Sequence, residues 1–110
     1  GPAVITLSSE GENPPSVPTP TARLKAFPNP FNPLTQIGIY VPEAQSGQCT
    51  IYNARGERVC QYSPQSFLEG WNYLSWDGRD AHGNACGSGI YLIRVDGREL
   101  SLQTKVVLMK

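Results

Sequence analysis

Three cysteines and a single histidine are the first candidates for chemistry in this 110-residue sequence. Cys49, Cys60 and Cys86 lack the short paired spacing of a zinc site, and His82 has no evident nucleophile beside it. No two carboxylates adjoin in an apolar setting that would separate their pKa values for acid–base catalysis. We therefore expect a protein that is not an enzyme and that needs no cofactor.

The pairing of the cysteines depends on the register of the hairpin that carries two of them. If Ile51 lies opposite Val59, Cys49 points into the core and Cys60 points outward. A disulfide between these two would need a register slip that buries an arginine, so Cys49 is expected to be a small core residue. A disulfide between Cys60 and Cys86 is the alternative that suits an exported protein.

A glycine-rich loop contains Asp77, Asp80 and Asn84. Their side-chain oxygens are suitable ligands for calcium. The spacing differs from that of an EF-hand, however, and no bidentate glutamate follows. We favour the other interpretation, in which these side chains accept hydrogen bonds from turn amides and bind no metal.

Two aromatic residues, Trp71 and Tyr73, share one face of a strand, opposite to Leu74 and Trp76. If that face is exposed, the rings could stack on a sugar, as in a carbohydrate-binding module. The alternative is aromatic packing across neighbouring strands. Trp76 and Tyr91 are both expected in the core, with their polar atoms hydrogen-bonded.

Short β-strands are the elements that must position these residues. A first strand is expected near Leu24 to Phe27, and apolar residues alternate over residues 36–41, 49–52, 59–62 and 71–76. Residues 90–95 are apolar on nearly both faces, as expected for a central strand that is covered on both sides, and a last strand follows Asp96-Gly97. The turn Asn53-Ala54-Arg55-Gly56 suits a hairpin whose glycine is left-handed. With no helical stripe present, we predict an all-β fold, an immunoglobulin-like β-sandwich of about seven antiparallel strands.

The first part of the sequence differs in composition from the rest. Gly1-Pro2 resembles the remnant of a cleaved tag, residues 3–7 suggest a strand or the tail of a preceding domain, and a Pro-rich linker extends to residue 22. A peptidase could reach this linker between Ser8 and Arg23. Residues 23–110 form the predicted domain, in which three prolines over residues 28–33 require a sheet edge or a crossover.

Charge and hydropathy exclude two classes of partner. Lys and Arg together number 9, as do Asp and Glu, so the net charge is zero. Nucleic-acid binding needs a basic surface, and so does a polybasic membrane patch. No apolar run approaches the roughly 20 residues of a transmembrane helix. We expect neither nucleic acid nor a transmembrane segment.

Several motifs in fixed order carry a family resemblance. They are Phe27-Pro-Asn-Pro-Phe-Asn-Pro33, residues 51–59, residues 76–84, Ser88-Gly-Ile-Tyr91 and the last residues, 104–110. In this order, residues 23–110 resemble the C-terminal sorting domain of the type nine secretion system and the related immunoglobulin-like domain of the flagellar hook-capping protein. The family commonly has Asp at the position of Asn53.

The resemblance implies a non-catalytic domain that directs export and cell-surface attachment of a larger secreted bacterial protein, through the periplasm. Its partners would be the outer-membrane secretion machinery and a cargo domain upstream in the same chain. The alternatives are an accessory carbohydrate-binding module of a secreted hydrolase and a self-assembling structural domain.

A terminal strand offers unpaired backbone groups for strand addition by a partner. The surface predicted to bind the partner is therefore the last strand, with the residues Lys105, Val106, Val107, Leu108, Met109 and Lys110.

Overall fold

The computed structural model of the chain describes residues 21–110. The strand predicted over residues 3–7 lies outside this range, as do nearly all of the predicted linker and cleavage region. The strands in chain order are β1 (Arg23–Phe27), β2 (Thr35–Val41), β3 (Gln45–Asn53), β4 (Arg58–Gln61), β5 (Gln65–Phe67), β6 (Gly70–Trp76), β7 (Gly89–Gly97) and β8 (Ser101–Leu108). Residues 21–110 contain no helix that could span a lipid bilayer.

Two antiparallel sheets form the fold. One has three strands in the order β1-β2-β6, and the other has five, in the order β4-β3-β7-β8 with β5 also paired to β3. The predicted all-β, immunoglobulin-like sandwich is confirmed. The short strand β5 is the element that the sequence pattern did not predict, since three residues are too few to establish an alternation.

The core lies between the sheets and follows the alternation of the sequence. Ile37, Ile39 and Val41 on β2 are fully buried and face Ile93 and Val95 on β7 across the interior. Burial of each such side chain stabilises the fold by about 1.5–3 kcal/mol relative to exposure. The apolar faces of the two sheets therefore supply the main driving force for their association.

Strand β7 departs from the expectation that both of its faces are covered. It is central in its sheet, between β3 and β8, and its residues Tyr91, Ile93 and Val95 are buried. Ile90, however, is 51% exposed, and Leu92 is half-buried. The sandwich has two layers, so the outer face of each sheet remains in contact with solvent.

The register predicted for the β3–β4 hairpin is wrong. Ile51 lies opposite Cys60, and Tyr52 lies opposite Arg58, with a register shift between the two pairs. A β-bulge thus takes up Val59 as an extra residue and turns Cys60 toward the core without burying the arginine. The predicted left-handed turn glycine, Gly56, is confirmed, with φ of 85°.

The proline-rich crossover after β1 joins the two sheets, as predicted. The Phe31 N–H donates to the Val107 carbonyl at 2.9 Å, and the Phe31 carbonyl accepts from the Met109 N–H at 3.0 Å. Phe31 thereby forms a parallel bridge with Leu108 of β8. Its side chain is buried, and its ring centroid lies 5.4 Å from that of Trp76.

The two aromatic residues expected in the core are there, and their polar atoms are hydrogen-bonded. The Trp76 indole N–H donates to the Arg79 carbonyl at 2.9 Å. The Tyr91 hydroxyl donates to the Gly87 carbonyl at 2.7 Å. The Trp76 and Tyr91 rings meet edge to face, with centroids 5.2 Å apart. Phe31, Trp76 and Tyr91 therefore form a continuous aromatic cluster, which we call the aromatic core cluster.

Replacing Phe31 with Ala is expected to lower the free energy of unfolding by about 3 kcal/mol or more, because the change leaves a cavity beside Trp76. Phe27→Ala is the matched control, since Phe27 is 39% exposed. The free energy of unfolding of this variant should fall by about 1 kcal/mol or less. Urea denaturation of both variants measures the difference, and equal losses would show that the crossover does not hold the sheets together.

Candidate functional site

The outer edge of β8 is closed over part of its length. Val107 directs both backbone groups away from β7: its carbonyl accepts from the Phe31 N–H, and its N–H donates to Asn29 Oδ1 at 2.9 Å. Asn29 Nδ2 donates in turn to the Lys105 carbonyl at 3.2 Å. Asn29 and Phe31 thus act as a partial extra strand along Lys105–Met109.

This contact pairs backbone groups that were expected to be open at the predicted partner surface, Lys105–Lys110. Val106 and Leu108 are buried in the core, and the Lys110 N–H donates to Ser88 Oγ at 3.0 Å. The open backbone groups lie N-terminal to the predicted segment, because Ser101 and Gln103 share the outward orientation of Val107. Within residues 21–110, neither of these two residues has a backbone partner on that side. Partner binding by this surface stays a prediction.

Beside this edge, the outer face of the five-stranded sheet carries an apolar patch. Ile90 and Val107 lie opposite each other on β7 and β8, and Leu92 lies opposite Lys105. Together with Tyr52 on β3, several of these residues line a shallow pocket next to the edge. Met109, at 56% exposure, adds an apolar side chain at the end of the strand.

The outer face of the three-stranded sheet is a second exposed surface, and we call it the aromatic face. Its residues align across the strands in three rows, which are Arg23–Tyr40–Trp71, Lys25–Gly38–Tyr73 and Phe27–Gln36–Ser75. Trp71 is 36% exposed and Tyr73 is 51% exposed, opposite to the half-buried Leu74 and the buried Trp76. The predicted facing of Trp71 and Tyr73 is confirmed, while sugar binding by them stays a prediction.

The rings of the aromatic face are in contact with one another. Trp71 and Tyr73 have nearly parallel planes, at 15°, with centroids 6.3 Å apart. Tyr40 lies 5.5 Å from Trp71, and Phe27 lies 6.5 Å from Tyr73. Gly38 lies beneath them, since a Cβ there would come within 3.3 Å of both the Trp71 and the Tyr73 ring. The glycine therefore allows the rings to lie close against the sheet.

Two cations on β1 complete the aromatic face. The Arg23 guanidinium carbon lies 5.3 Å from the Tyr40 centroid and 5.7 Å from the Trp71 centroid. Lys25 Nζ lies 4.7 Å from the Trp71 centroid and 5.2 Å from that of Phe27. Neither cation was among the candidate residues predicted from the sequence. Their alternation with the half-buried Leu24 and Ala26 is the pattern that places both cations on the exposed face of β1.

The loop with the calcium candidates has the geometry of turn-capping side chains. Asp80 Oδ1 accepts from the His82 N–H at 2.9 Å and from the Asn84 N–H at 3.0 Å. These two bonds, that from Asn84 above all, lower the pKa of Asp80. Asp77 Oδ1 accepts from the Arg79 N–H at 3.2 Å. Residues 21–110 contain no group of three or more His, Cys, Asp or Glu placed to hold a metal ion, and calcium stays the alternative to the turn-capping interpretation of these side chains.

Asn53, which stands where the resembled family commonly has Asp, fills the same capping role in the β3–β4 turn. Its Oδ1 accepts from the Arg55 and Glu57 N–H groups, each at 2.9 Å. Its Nδ2 donates to Glu57 Oε1 at 2.8 Å, and this bond is the main cause of the lowered pKa of Glu57. The turn therefore does not require a carboxylate at position 53.

All three cysteines are free thiols in the structure. Cys49 is fully buried, as expected, and burial raises its pKa to about 12. Burial raises the pKa of Cys60 to about 11, with a further contribution from Cys86. Cys60 and Cys86 line one pocket together with Asp80 and His82. Raised pKa values make these thiols poor nucleophiles, and the Cys60–Cys86 disulfide stays a prediction.

Comparison with known proteins supports the fold described above. The family model of the FlgD Ig-like domain matches residues 34–100. The structure of dimeric latent PorU from Porphyromonas gingivalis is 22% identical, with a TM-score of 0.64 over 84% of this chain and 10% of PorU. PorZ, described as an essential surface component of the type-IX secretion system of the same bacterium, is 18% identical, with a TM-score of 0.54 over 79% of this chain and 11% of PorZ.

The chain thus spans about a tenth of the length of each of these structures. At these identities the similarity is one of fold. No curated protein matches the sequence significantly.

The stability of the domain should fall in alkaline solution through Cys49. Above the ordinary thiol pKa of 9.0, the unfolded chain loses the Cys49 proton, while the folded chain keeps it up to about 12. The folded state then binds more protons, so the free energy of unfolding decreases with pH, by at most about 1.4 kcal/mol per unit.

Urea denaturation under reducing conditions, from about pH 8 to about pH 10.5, measures this slope. Cys49→Ala is the comparison, because it removes the thiol and keeps the other titrating groups. The stability difference between the native chain and the variant should narrow as pH rises. A difference that stays constant with pH would contradict the raised pKa.

Proposed function

This chain belongs to the FlgD Ig-like domain family, and we propose that it is a non-catalytic domain that directs the export and cell-surface attachment of a larger secreted bacterial protein. Membership in this family agrees with the hook-capping part of the sequence resemblance. The fold shared with PorZ, a surface component of the type-IX secretion system, supports the assignment to that system. The domain would be secreted or held at the cell surface after passing through the periplasm.

The observation that carries this proposal is the half-open edge of β8. Asn29 and Phe31 close the part from Lys105 to Met109 and leave the outward backbone groups of Ser101 and Gln103 open within residues 21–110. Open backbone groups on a long, regular strand are the template for strand addition. The outer-membrane secretion machinery would add a strand there.

The apolar patch next to the edge supplies side-chain contacts for the same partner. Ile90 and Met109 are each more than half exposed. Lys105, which lies opposite Leu92, adds a positive charge between them and the open edge. Backbone pairing with Gln103 would give affinity, and these side chains would give specificity, as in other complexes formed by strand addition.

The remaining features of the domain suit a sorting signal and not an active site. The thiol pKa values are raised, and the carboxylates of Asp77 and Asp80 accept hydrogen bonds from turn amides. A cargo domain elsewhere in the same chain would carry any activity. The predicted cleavage between Ser8 and Arg23 would separate that cargo from the sandwich.

Replacing Gln103 with Pro should abolish export of a cargo. Proline removes the outward N–H of the edge, and the β7–β8 ladder stays intact because the backbone groups of Gln103 point away from β7. The test fuses the full chain to the C-terminus of a periplasmic reporter enzyme in a bacterium with a type IX system. Reporter activity in the periplasm and at the cell surface is then measured.

Gln103→Ala is the matched control, because it removes the same side chain and keeps the N–H. We expect the Ala variant to export like the native domain and the Pro variant to leave active reporter in the periplasm, with similar melting temperatures for both. Equal export of the two variants would refute strand addition at this edge. Failure of the native fusion to leave the periplasm would refute the sorting function itself.

A further inference from the structure

We propose that the aromatic face binds an acidic polysaccharide, with sugar rings on Trp71 and Tyr73 and the sugar's anionic groups on Arg23 and Lys25. This site goes beyond the proposed function and does not depend on it. It lies on the three-stranded sheet, whereas the open edge of β8 belongs to the other sheet.

The rings present a preformed surface for a sugar. Trp71 and Tyr73 lie nearly parallel, both against Gly38, and Tyr40 and Phe27 flank them on the neighbouring strands. Their backbone is a paired sheet, so the rings need little ordering on binding. Apolar sugar faces pack on exposed aromatic rings of this kind, and contiguous exposed apolar surface on a small domain commonly marks a binding site.

The charge on this face specifies an acidic ligand. Arg23 and Lys25 both lie within 6 Å of the Trp71 ring centroid. None of the residues in the three rows of the aromatic face is acidic. Of the three salt bridges among residues 21–110, none involves Arg23 or Lys25. Cation–π contacts hold these two cations in place without neutralising them, so they remain available to carboxylate or sulfate groups.

Other ligands fit the face less well. A neutral glucan would use the rings but leave both cations unused. Single-stranded nucleic acid also combines stacking with cations, but it relies on neutralising many phosphates. The face has two cations, and the chain has zero net charge. A polymer with about one negative charge per sugar ring matches the two rings proposed to stack on sugars, Trp71 and Tyr73, and the two cations beside them.

The test uses isothermal titration calorimetry to titrate the full chain with polymers that carry sugar rings, negative charges or both. Polygalacturonate has both features, its fully methyl-esterified form has the ring without the charge, and polyacrylate has the charge without the ring. We expect polygalacturonate to bind at least about tenfold more tightly than either of the others, and its binding to weaken with added salt.

Two variants locate the site on the aromatic face. Trp71→Ala should weaken binding about tenfold or more. The double variant Arg23→Gln/Lys25→Gln should do the same while keeping the rings. Arg55→Gln/Arg98→Gln is its matched control, since it removes equal charge from exposed turns elsewhere and should leave binding unchanged. Melting temperatures check that each variant folds. If Trp71→Ala does not fold, the binding of the double variant Arg23→Gln/Lys25→Gln decides whether the site lies on the aromatic face.

Several outcomes would overturn the proposal. Equal binding of polyacrylate would reduce the site to a charge effect, and equal binding of the methyl ester would make the ligand a neutral glycan. Tighter binding of a single-stranded oligonucleotide would reassign the ligand class. Binding to polygalacturonate that the double variant keeps would place the site elsewhere. Concentration-dependent dimers that Trp71→Ala abolishes would assign the face to a second copy of this chain.

Discussion

The burial of Phe31 between the two sheets is the contact on which the rest of the structure depends. Its ring packs against Trp76 of the three-stranded sheet, while its backbone pairs with Val107 and Met109 at the edge of the five-stranded sheet. The described residues contain no disulfide that could link the two sheets. The sheets are thus held by apolar burial, and this crossover adds a buried side chain and backbone bonds at the same position.

The alternation of proline with other residues explains how an irregular segment can serve as this crossover. Pro28, Pro30 and Pro33 have no N–H groups that need partners. Asn29 and Phe31, the residues between them, supply all the groups that bond to β8. A regular strand would have paired with the whole length of β8. This segment pairs with half of it, and so the same feature that closes the sandwich also determines which part of the edge stays open.

Alternation in the sequence was sufficient for the fold, and its failures have local physical causes. The strands other than β5, the buried positions of Trp76 and Tyr91, and the placement of Trp71 and Tyr73 on the opposite face follow from a period of two residues. The register of the β3–β4 hairpin did not follow, because a bulge at Val59 breaks that period without changing residue types. The Asn29 contact joins residues 76 and 78 positions apart in the sequence, and no local pattern encodes such a pair.

The aromatic face shows why summed charge is a poor guide to local surface chemistry. A net charge of zero weighs against a ligand that contacts the whole molecule, such as a nucleic acid duplex. The net charge gives no sign of Arg23 and Lys25, whose cationic groups both lie beside Trp71. The carboxylates of Asp77 and Asp80 lie in a loop, where they accept hydrogen bonds from backbone amides. Only the register of β1 on β2 and of β2 on β6 brings the cations and the rings together. The candidate site is therefore a property of strand pairing, which turns three separate alternating segments into one continuous surface.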